Sequence, residues 1–322
     1  MSQPFSLSSL WNAMAVSSSA PANAADFDPQ TGQAVDVIPG VVRVTAPNGG
    51  PYTFTGTNSF IVGHDRVAVI DPGPDDSRHL GALLKAIGNR PVERIILTHT
   101  HIDHSALARR LKRETGAPLS FGGPHRLSRP KRRFELNMLS GGCDWSLVPD
   151  ETLADGEMVM AGDVALVVMA TPGHCANHLA FGIKDSEWLF TGDHIMGWNS
   201  TLVAVPDGSM GDYLASMEKV IAAPYKRYLP AHGGPIADGP GYARALLAHR
   251  NLRNNQIIDA VNKGARTTTA LLRLIYKGIA PALNLAARMT IEAHVEYLTA
   301  RGDIKARPTL LGWRLSPRAR QG

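Results

Sequence analysis

Cysteine is scarce in this sequence, whose 322 residues include only Cys143 and Cys175. Two cysteines in dissimilar segments cannot build a disulfide framework, which excludes the small disulfide-stapled secreted classes and favours a reducing compartment. No stretch has the roughly 20 apolar residues that a transmembrane helix needs. We therefore predict a soluble protein in the cytoplasm, with no membrane partner.

The first residues also lack a basic start, and Ser and Asn interrupt their apolar run. Although Ala-Asn-Ala-Ala at 22–25 is similar to a cleavage site, these two absences argue against a signal peptide. Residues 1–34 are predicted to form a mobile N-terminal arm. No internal repeat is visible in the remaining chain.

Positive charge is unevenly distributed around the net charge of +5. Residues 1–237 contain 19 Lys and Arg against 23 Asp and Glu, whereas 238–322 contain 14 against 5. A basic tail is compatible with nucleic acid or an acidic partner, although basic surfaces are common without either. The oligomeric state cannot be deduced from these features.

Strand-like and helix-like segments alternate over 35–237, which predicts an α/β catalytic domain. After Asp-Gly-Pro-Gly at 238–241, three helical segments and a two-strand wing predict a small winged-helix-like domain over 238–322. Between them, 122–150 is a basic insertion rich in Gly and Pro, of the kind that borders a site or is mobile.

Four candidate metal ligands lie within six residues, where an apolar strand is predicted to end and the charged loop 101–104 to follow: His99, His101, Asp103 and His104. Side chains two apart on an extended segment point the same way, so His99 and His101 can share one metal. Asp103 and His104 would turn toward a second. A ligand set of imidazoles and carboxylates suits zinc, and it favours a hydrolytic metal site over a closed structural one.

This segment resembles the His-x-His-x-Asp-His signature of the metallo-beta-lactamase superfamily. The resemblance implies a four-layer αββα sandwich and three further ligands: a His after a strand, an Asp after a later strand and a final His. His174 in ATPGH, Asp193 in FTGD and His232 in LPAHGG occupy these places. It further implies that His99, His101 and His174 hold one metal, that Asp103, His104 and His232 hold the other, and that Asp193 bridges them.

Two adjacent cations lower the pKa of a bridging water to about 7, so that hydroxide can attack a carbonyl or phosphoryl group. Asp103 is predicted to orient that water or accept its proton, and Asp193 to share the metals, so both are predicted to be catalytic. Two zinc ions are expected, although manganese or iron also suits these ligands.

Neighbouring residues carry weaker signals. Asp71, at the end of an early strand, is predicted either to support the ligand histidines or simply to form a turn. His178 and His194 are candidates for the pocket or for plain packing, and Cys175 is interpreted as structural.

From about Val41 to Leu315 the order of elements resembles the beta-lactamase-like protein 2 group, but the metal motifs do not choose a substrate. The prediction is a zinc-dependent hydrolase of a small substrate not yet assigned. Alternatives are an endoribonuclease on single-stranded RNA and a glyoxalase II-like thioesterase. For RNA, the insertion's Arg126, Arg129, Lys131, Arg132 and Arg133, with the basic tail, would contact phosphates.

Two non-hydrolase alternatives stay open. One is a metal-binding nucleic-acid regulator, and the other is an iron oxidoreductase on the same scaffold. Di-iron relatives replace part of the histidine cluster with Glu, and retention of His101 therefore favours zinc.

Overall fold

The computed structural model describes residues 27–133, 135–278, 281–309 and 312–318. Most of the predicted arm, 1–26, lies outside the described residues. Its last part does not extend away from the body, because the Arg43 guanidinium lies 4.6 Å from the centre of the Phe27 ring. None of the helices described is long and apolar enough to cross a membrane.

One seven-stranded sheet has its strands in sequence order. These are β1 (Ala34–Ile38), β2 (Val41–Thr45), β3 (Asn58–Val62), β4 (Val67–Ile70), β5 (Val92–Ile96), β6 (Leu119–Phe121) and β7 (Glu151–Thr152). The first four strands pair antiparallel, and β4 to β7 pair parallel. Helix α1 (Ser77–Ile87) connects β4 to β5, while α2 (Ile102–Ser105) and α3 (Ala108–Thr115) connect β5 to β6.

A second sheet has the order β12-β11-β10-β9-β8. Its strands are β8 (Met158–Ala161), β9 (Val164–Ala170), β10 (Leu179–Ile183), β11 (Trp188–Gly192) and β12 (Arg227–Pro230). Helix α4 (Met210–Ala222) connects β11 to the parallel strand β12.

Three apolar clusters separate four layers. Between the sheets, the rings of Phe60 and Phe190 meet edge-on at 5.1 Å. Leu83 of α1 and Leu111 of α3 pack on the outer face of the first sheet. Met217 of α4 packs on the outer face of the second. This arrangement confirms the predicted αββα sandwich.

The strand and helix patterns predict most elements well, and the main difference lies in the metal motif. Asp76 is the N-cap of α1, since its carboxylate accepts hydrogen bonds from the backbone N–H groups of Arg78 and His79. The segment 101–104 was predicted to be a loop, but α2 begins at Ile102, directly after His101. Asp103 and His104 therefore lie on a helical turn, whereas His99 and His101 lie on the segment between β5 and that turn. The ring centre of His104 lies 4.1 Å from that of His99.

Three helices and a two-stranded antiparallel sheet follow residue 238. They are α5 (Gly239–Asn262), α6 (Thr268–Ile275), α7 (Asn284–Ala300), β13 (Ile304–Thr309) and β14 (Gly312–Pro317). The winged-helix assignment of this part stays a prediction. The apolar residues Ile291, Val295 and Leu298 of α7 pack against α5 and the small sheet. Ala293 and Tyr297 make the contact with the body.

Candidate metal centre

The candidate ligands lie on loops at one edge of the sandwich. His99 follows β5, His174 follows β9, Asp193 follows β11 and His232 follows β12. Strands β11 and β12 run parallel, so their carboxyl ends meet at the same edge. The backbone N–H of Asn58 in β3 donates to the carbonyl of Ala231, which joins the two sheets beside His232.

His99, His101 and His174 form the first group. Nδ1 of His101 lies 3.1 Å from Nε2 of His99 and 2.8 Å from Nε2 of His174. All three side chains are buried. One ligand atom from each lies within 4.8 Å of the others, so a single ion can contact all three.

The outer hydrogen bonds of these rings decide which nitrogens carry protons. Nε2 of His101 faces Oδ2 of Asp207 at 2.9 Å, and Nδ1 of His174 faces the carbonyl of Leu202 at 2.7 Å. Both partners are acceptors, so each of these nitrogens donates, and the opposite nitrogen of each neutral ring presents a lone pair. Two lone pairs facing each other at 2.8 Å repel unless a cation or a proton lies between them.

Asp103, His104 and His232 form the second group. Oδ2 of Asp103 lies 3.3 Å from Nε2 of His104 and 3.3 Å from Nε2 of His232. The side chain of Asp103 is 27% exposed, whereas those of the two histidines are almost fully buried. Asp103 is therefore the member of this group that solvent reaches.

Asp193 lies between the two groups. Its Oδ1 is 3.5 Å from His104 and 3.3 Å from His232, while its Oδ2 is 3.7 Å from His174. Each oxygen thus faces a different group, as a bridging ligand requires. Gly192 makes this loop possible: at φ 51° it lies against His178 and Thr98, where a Cβ would lie 2.6 Å from Nε2 of His178.

The donor set fits divalent cations. Nε2 of His104, Oδ1 of Asp193 and Nε2 of His232 are buried and make no hydrogen bond within the described part of the chain. Unpartnered polar atoms are costly inside a protein, and a shared cation satisfies all three. Three imidazoles with carboxylates is a ligand set typical of zinc and neighbouring metals.

Electrostatics at the centre also favour positive charge. Burial lowers the pKa of His232, but the carboxylates of Asp193 and Asp103 raise it more, to about 9. In the first group, burial and His101 lower the pKa of His174 to about 4, so that ring is neutral at neutral pH, as metal binding requires.

Asp71 holds the ligands from behind. Its Oδ2 lies 3.1 Å from Nδ1 of His104 and accepts the hydroxyl of Thr98, and its Oδ1 accepts the backbone N–H of Thr98. Thr98 Oγ1 in turn lies 3.0 Å from Nδ1 of His99. Asp71 thus contacts the candidate ligand His104 directly and is linked to His99 through the hydroxyl of Thr98. The sequence left two roles open for Asp71, support of the histidines or a simple turn, and these contacts agree with support.

Asp207 and His125 were not among the residues predicted to take part in the site. The carboxylate of Asp207 is fully buried and faces both His101, at 2.9 Å, and Nε2 of His125, at 2.8 Å. Burial opposes its ionisation, but these two imidazoles hold its pKa well below the usual range. Asp207 stands in Val-Pro-Asp-Gly, which the sequence shows only as a turn.

The weaker candidates lie behind the ligands and do not line the cavity at the site. His178 contacts Thr171 through Nδ1 and accepts the backbone N–H of Asp193 through Nε2. His194 is buried against the ring of Tyr213 at 4.8 Å, and neither of its ring nitrogens has a hydrogen-bond partner among the described residues. Cys175 is buried, with Sγ 3.3 Å from Oδ1 of Asn177.

A cavity of about 450 Å³ opens onto His101, Asp103, His174 and Asp193. Three parts of the chain supply its mostly apolar walls. These are Met138 and Leu139 of the insertion, Met196 and Trp198 of the loop after β11, and Leu285 and Met289 near the start of α7. The insertion at 122–150 therefore borders the site, and the backbone of Cys143 pairs with that of His101.

Comparisons with known proteins agree with this geometry. Residues 52–232 match the family described as the metallo-beta-lactamase superfamily. The chain is 27% identical over 238 residues to an atrochrysone carboxyl ACP thioesterase of Claviceps purpurea, covering 73% of this chain and 69% of that protein. It is 24% identical over 273 residues to a beta-lactamase-like protein 2 homolog of Caenorhabditis elegans, covering 82% and 86%. The chain spans 65% of the length of a lactamase-like protein of Emericella nidulans and 64% of an atrochrysone carboxyl ACP thioesterase of a Cryptosporiopsis species.

In structure, the chain is similar to a beta-lactamase domain protein from Burkholderia ambifaria, with a TM-score of 0.75 and 20% identity over 91% of this chain and 96% of that one. That likeness establishes the fold. The family match and the relatives named thioesterases indicate a hydrolase, and the His and Asp cluster indicates divalent metal binding. With the fold, the ligand groups and the match over 52–232 in agreement, this chain belongs to the metallo-beta-lactamase superfamily.

Proposed function

We propose that this protein is a two-metal hydrolase, with zinc as the preferred ion, that cleaves thioesters carrying a largely apolar acyl group. The observation that carries the proposal is the apolar cavity that opens directly onto the candidate ligands. Its volume suits a small-molecule acyl chain. The thioesterase among the relatives acts on an acyl carrier protein substrate by its name, which supports the same bond type.

In this proposal, two cations held by His99, His101, His174, Asp103, His104, His232 and Asp193 would activate water and polarise the thioester carbonyl. The chain's own contribution is positioning. Asp103, the more open carboxylate, orients the attacking water and accepts its proton. Met196 and Trp198 hold the acyl chain and exclude bulk water from the carbonyl.

The endoribonuclease alternative is less well supported by the insertion. Arg129 donates to Glu135 and to Glu296, and Arg132 donates to Glu296 while lying 4.3 Å from the ring centre of Trp313. Arg126 donates to two backbone carbonyls. Guanidinium groups already paired with carboxylates attract phosphates weakly, since the local charge is neutralised.

A substrate panel tests the proposal. Metal-reconstituted protein would be assayed on acyl thioesters of two to ten carbons, on lactones, on phosphodiesters and on single-stranded RNA. We expect metal-dependent thioester hydrolysis that rises with acyl length until the cavity is filled. Cleavage of RNA but not of thioesters would replace the proposal with the endoribonuclease alternative.

Metal analysis of the same preparation tests the remaining alternatives. Two zinc equivalents per chain with restored activity support the proposal. Stoichiometric iron with oxygen consumption and no hydrolysis would establish the oxidoreductase alternative. Nucleic-acid binding without hydrolysis of any substrate would favour the regulator.

A further inference from the structure

Helix α5 contributes three basic side chains to the lining of the cavity: His249, Arg250 and Arg253. They are deeply buried, with exposed fractions of 8%, 2% and 4%. Arginine is almost never buried to this extent unless an opposite charge pairs with it. The cavity that contains the candidate ligands is therefore bordered by two buried positive charges from the C-terminal part of the chain.

The protein satisfies these arginines only in part. Arg250 donates from Nη2 to the carbonyl of Thr201 and lies over the ring of Tyr213. Arg253 donates from Nη1 to Gln256 and lies 4.4 Å from the ring centre of Tyr276. A guanidinium has five N–H donors, and Nε of each residue is buried without a hydrogen-bond partner in the described part of the chain.

Within the described parts of the chain, no carboxylate forms an ion pair with Arg250 or Arg253, in contrast to Arg129 with its two glutamates. Their charge acts on the nearest rings instead. Burial and the two arginines lower the pKa of His249 to about 4, and burial and the same arginines hold that of His294 well below its usual value. Among the residues that the structure describes, neither ring nitrogen of His249 has a hydrogen-bond partner.

This positive surface lies close to the metal centre. The Thr201 carbonyl that accepts from Arg250 belongs to the residue whose Oγ1 lies 3.1 Å from Nδ1 of His174. A group bound at Arg250 is thus separated from the candidate ligand His174 by a single residue of the cavity wall, Thr201.

We propose that Arg250 and Arg253 form a subsite for an anionic group of the substrate, a carboxylate or a phosphate, close to the scissile bond. The inference rests on the proposed thioesterase function and narrows its substrate class to acidic thioesters. Guanidinium groups bind carboxylate and phosphate through paired hydrogen bonds. Surrounding apolar walls strengthen that attraction by excluding water, and the bound anion removes the cost of two unpaired buried charges.

Two matched pairs of thioesters test the subsite and separate the two anions. Butyryl and succinyl thioesters of N-acetylcysteamine differ by a terminal carboxylate. Butyryl-pantetheine and butyryl-4′-phosphopantetheine differ by a phosphate. We expect metal-loaded protein to prefer the anionic member of one pair by about 10- to 100-fold in kcat/KM, the range for hydrogen bonds to a charged group. The pair that shows the preference identifies the anion.

Arg253→Gln should reduce that preference toward one. Arg244→Gln, an exposed arginine on the same helix, is the matched control and should keep the wild-type preference. Arg253→Lys retains the charge and should show an intermediate preference, which keeps the test valid if the Gln variant fails to fold. The subsite would be overturned if the wild type hydrolysed the anionic and neutral members of both pairs with equal kcat/KM. It would also be overturned if Arg244→Gln lost the preference as fully as Arg253→Gln.

A binding measurement separates this inference from the proposed function. If no thioester is hydrolysed, the proposed function fails, and calorimetry with inorganic phosphate and with succinate still tests the subsite. About tenfold weaker binding of either anion to Arg253→Gln than to wild type supports the subsite. If Arg253→Gln binds both anions as tightly as the wild type does, the subsite is refuted.

Discussion

Asp207 offers the sharpest test of how the fold prepares the metal centre. Its carboxylate is fully buried and accepts hydrogen bonds from Nε2 of His101 at 2.9 Å and Nε2 of His125 at 2.8 Å. It thereby fixes the tautomer in which Nδ1 of His101 presents its lone pair to His99 and His174. Asp207→Ala removes this restraint and leaves a buried N–H on His101 without an acceptor.

The expected magnitude follows from that role. Loss of a residue that orients a metal-bound histidine weakens metal affinity by about 10- to 100-fold, or about 1.4 to 2.7 kcal/mol. We expect the upper half of that range, because Asp207 holds two imidazoles and is fully buried.

Asp207→Asn should be milder, at about tenfold. Its amide oxygen can still accept from His101, while its NH₂ would face His125. His125 can adapt by moving its proton to Nδ1, which lies 2.9 Å from Oγ1 of Thr100. The Thr100 hydroxyl already accepts a hydrogen bond from Asn177 and would then also accept one from His125. Its own hydrogen would lose the acceptor at Nδ1 of His125, so the change has a modest cost.

Zinc affinity would be measured by competition with a chromophoric chelator, with metal content checked by mass spectrometry. Asp212→Ala on α4, an exposed carboxylate outside the site, is the control. Melting of the metal-free proteins separates a folding defect from a loss of affinity. Wild-type affinity in Asp207→Ala, with normal folding, would refute the orienting role, as would an Asn variant weaker than the Ala variant.

Three further predictions concern the bridge, acid stability and a helix cap. Asp193→Ala should lower metal content and reduce hydrolysis by more than about 100-fold, since a shared ligand matters more than an outer partner; full metal occupancy with normal turnover would contradict the two-metal assignment. Burial lowers the pKa of His79 to about 4. Between pH 6.5 and 4 the unfolded chain therefore binds a proton that the folded chain does not, and the free energy of unfolding falls by up to ~3 kcal/mol as the pH drops. His79→Gln should flatten urea-derived stability against pH over that window, and an unchanged slope would exclude this contribution. Asp76→Ala should cost about 1 kcal/mol in urea unfolding through loss of the α1 cap, whereas Asp76→Asn should cost little; equal losses would point to charge rather than capping.

Local patterns in the sequence carry much of the centre. An apolar strand followed by His-x-His places two imidazoles on the same side. The helical turn α2, which begins at Ile102, places Asp103 and His104 beside His232. The division into two ligand groups thus follows from a change in backbone period within six residues, although the turn itself was predicted to be a loop.

Local patterns cannot show which distant residues meet. Asp207 contacts His101 across 106 positions, and nothing in its Pro-Asp-Gly surroundings distinguishes it from an ordinary turn. Under the endoribonuclease alternative the basic insertion was predicted to contact phosphates, but Arg129 and Arg132 pair with Glu296 of α7, more than 160 positions away. Charge counted along a chain does not show which charges neutralise one another in space.

Strand and helix patterns predict the α/β body, and histidine spacing predicts a metal site at 99–104, because these patterns are local and act over a few residues. The sandwich and the ligands His174, Asp193 and His232 were implied by the resemblance to the family. Tertiary packing sets what surrounds those ligands. Packing of α5 against the second sheet brings Arg250 and Arg253 to the cavity, and folding of the insertion brings Met138 and Leu139 there. Those walls depend on long-range packing and charge pairing, which act between segments that no local period connects.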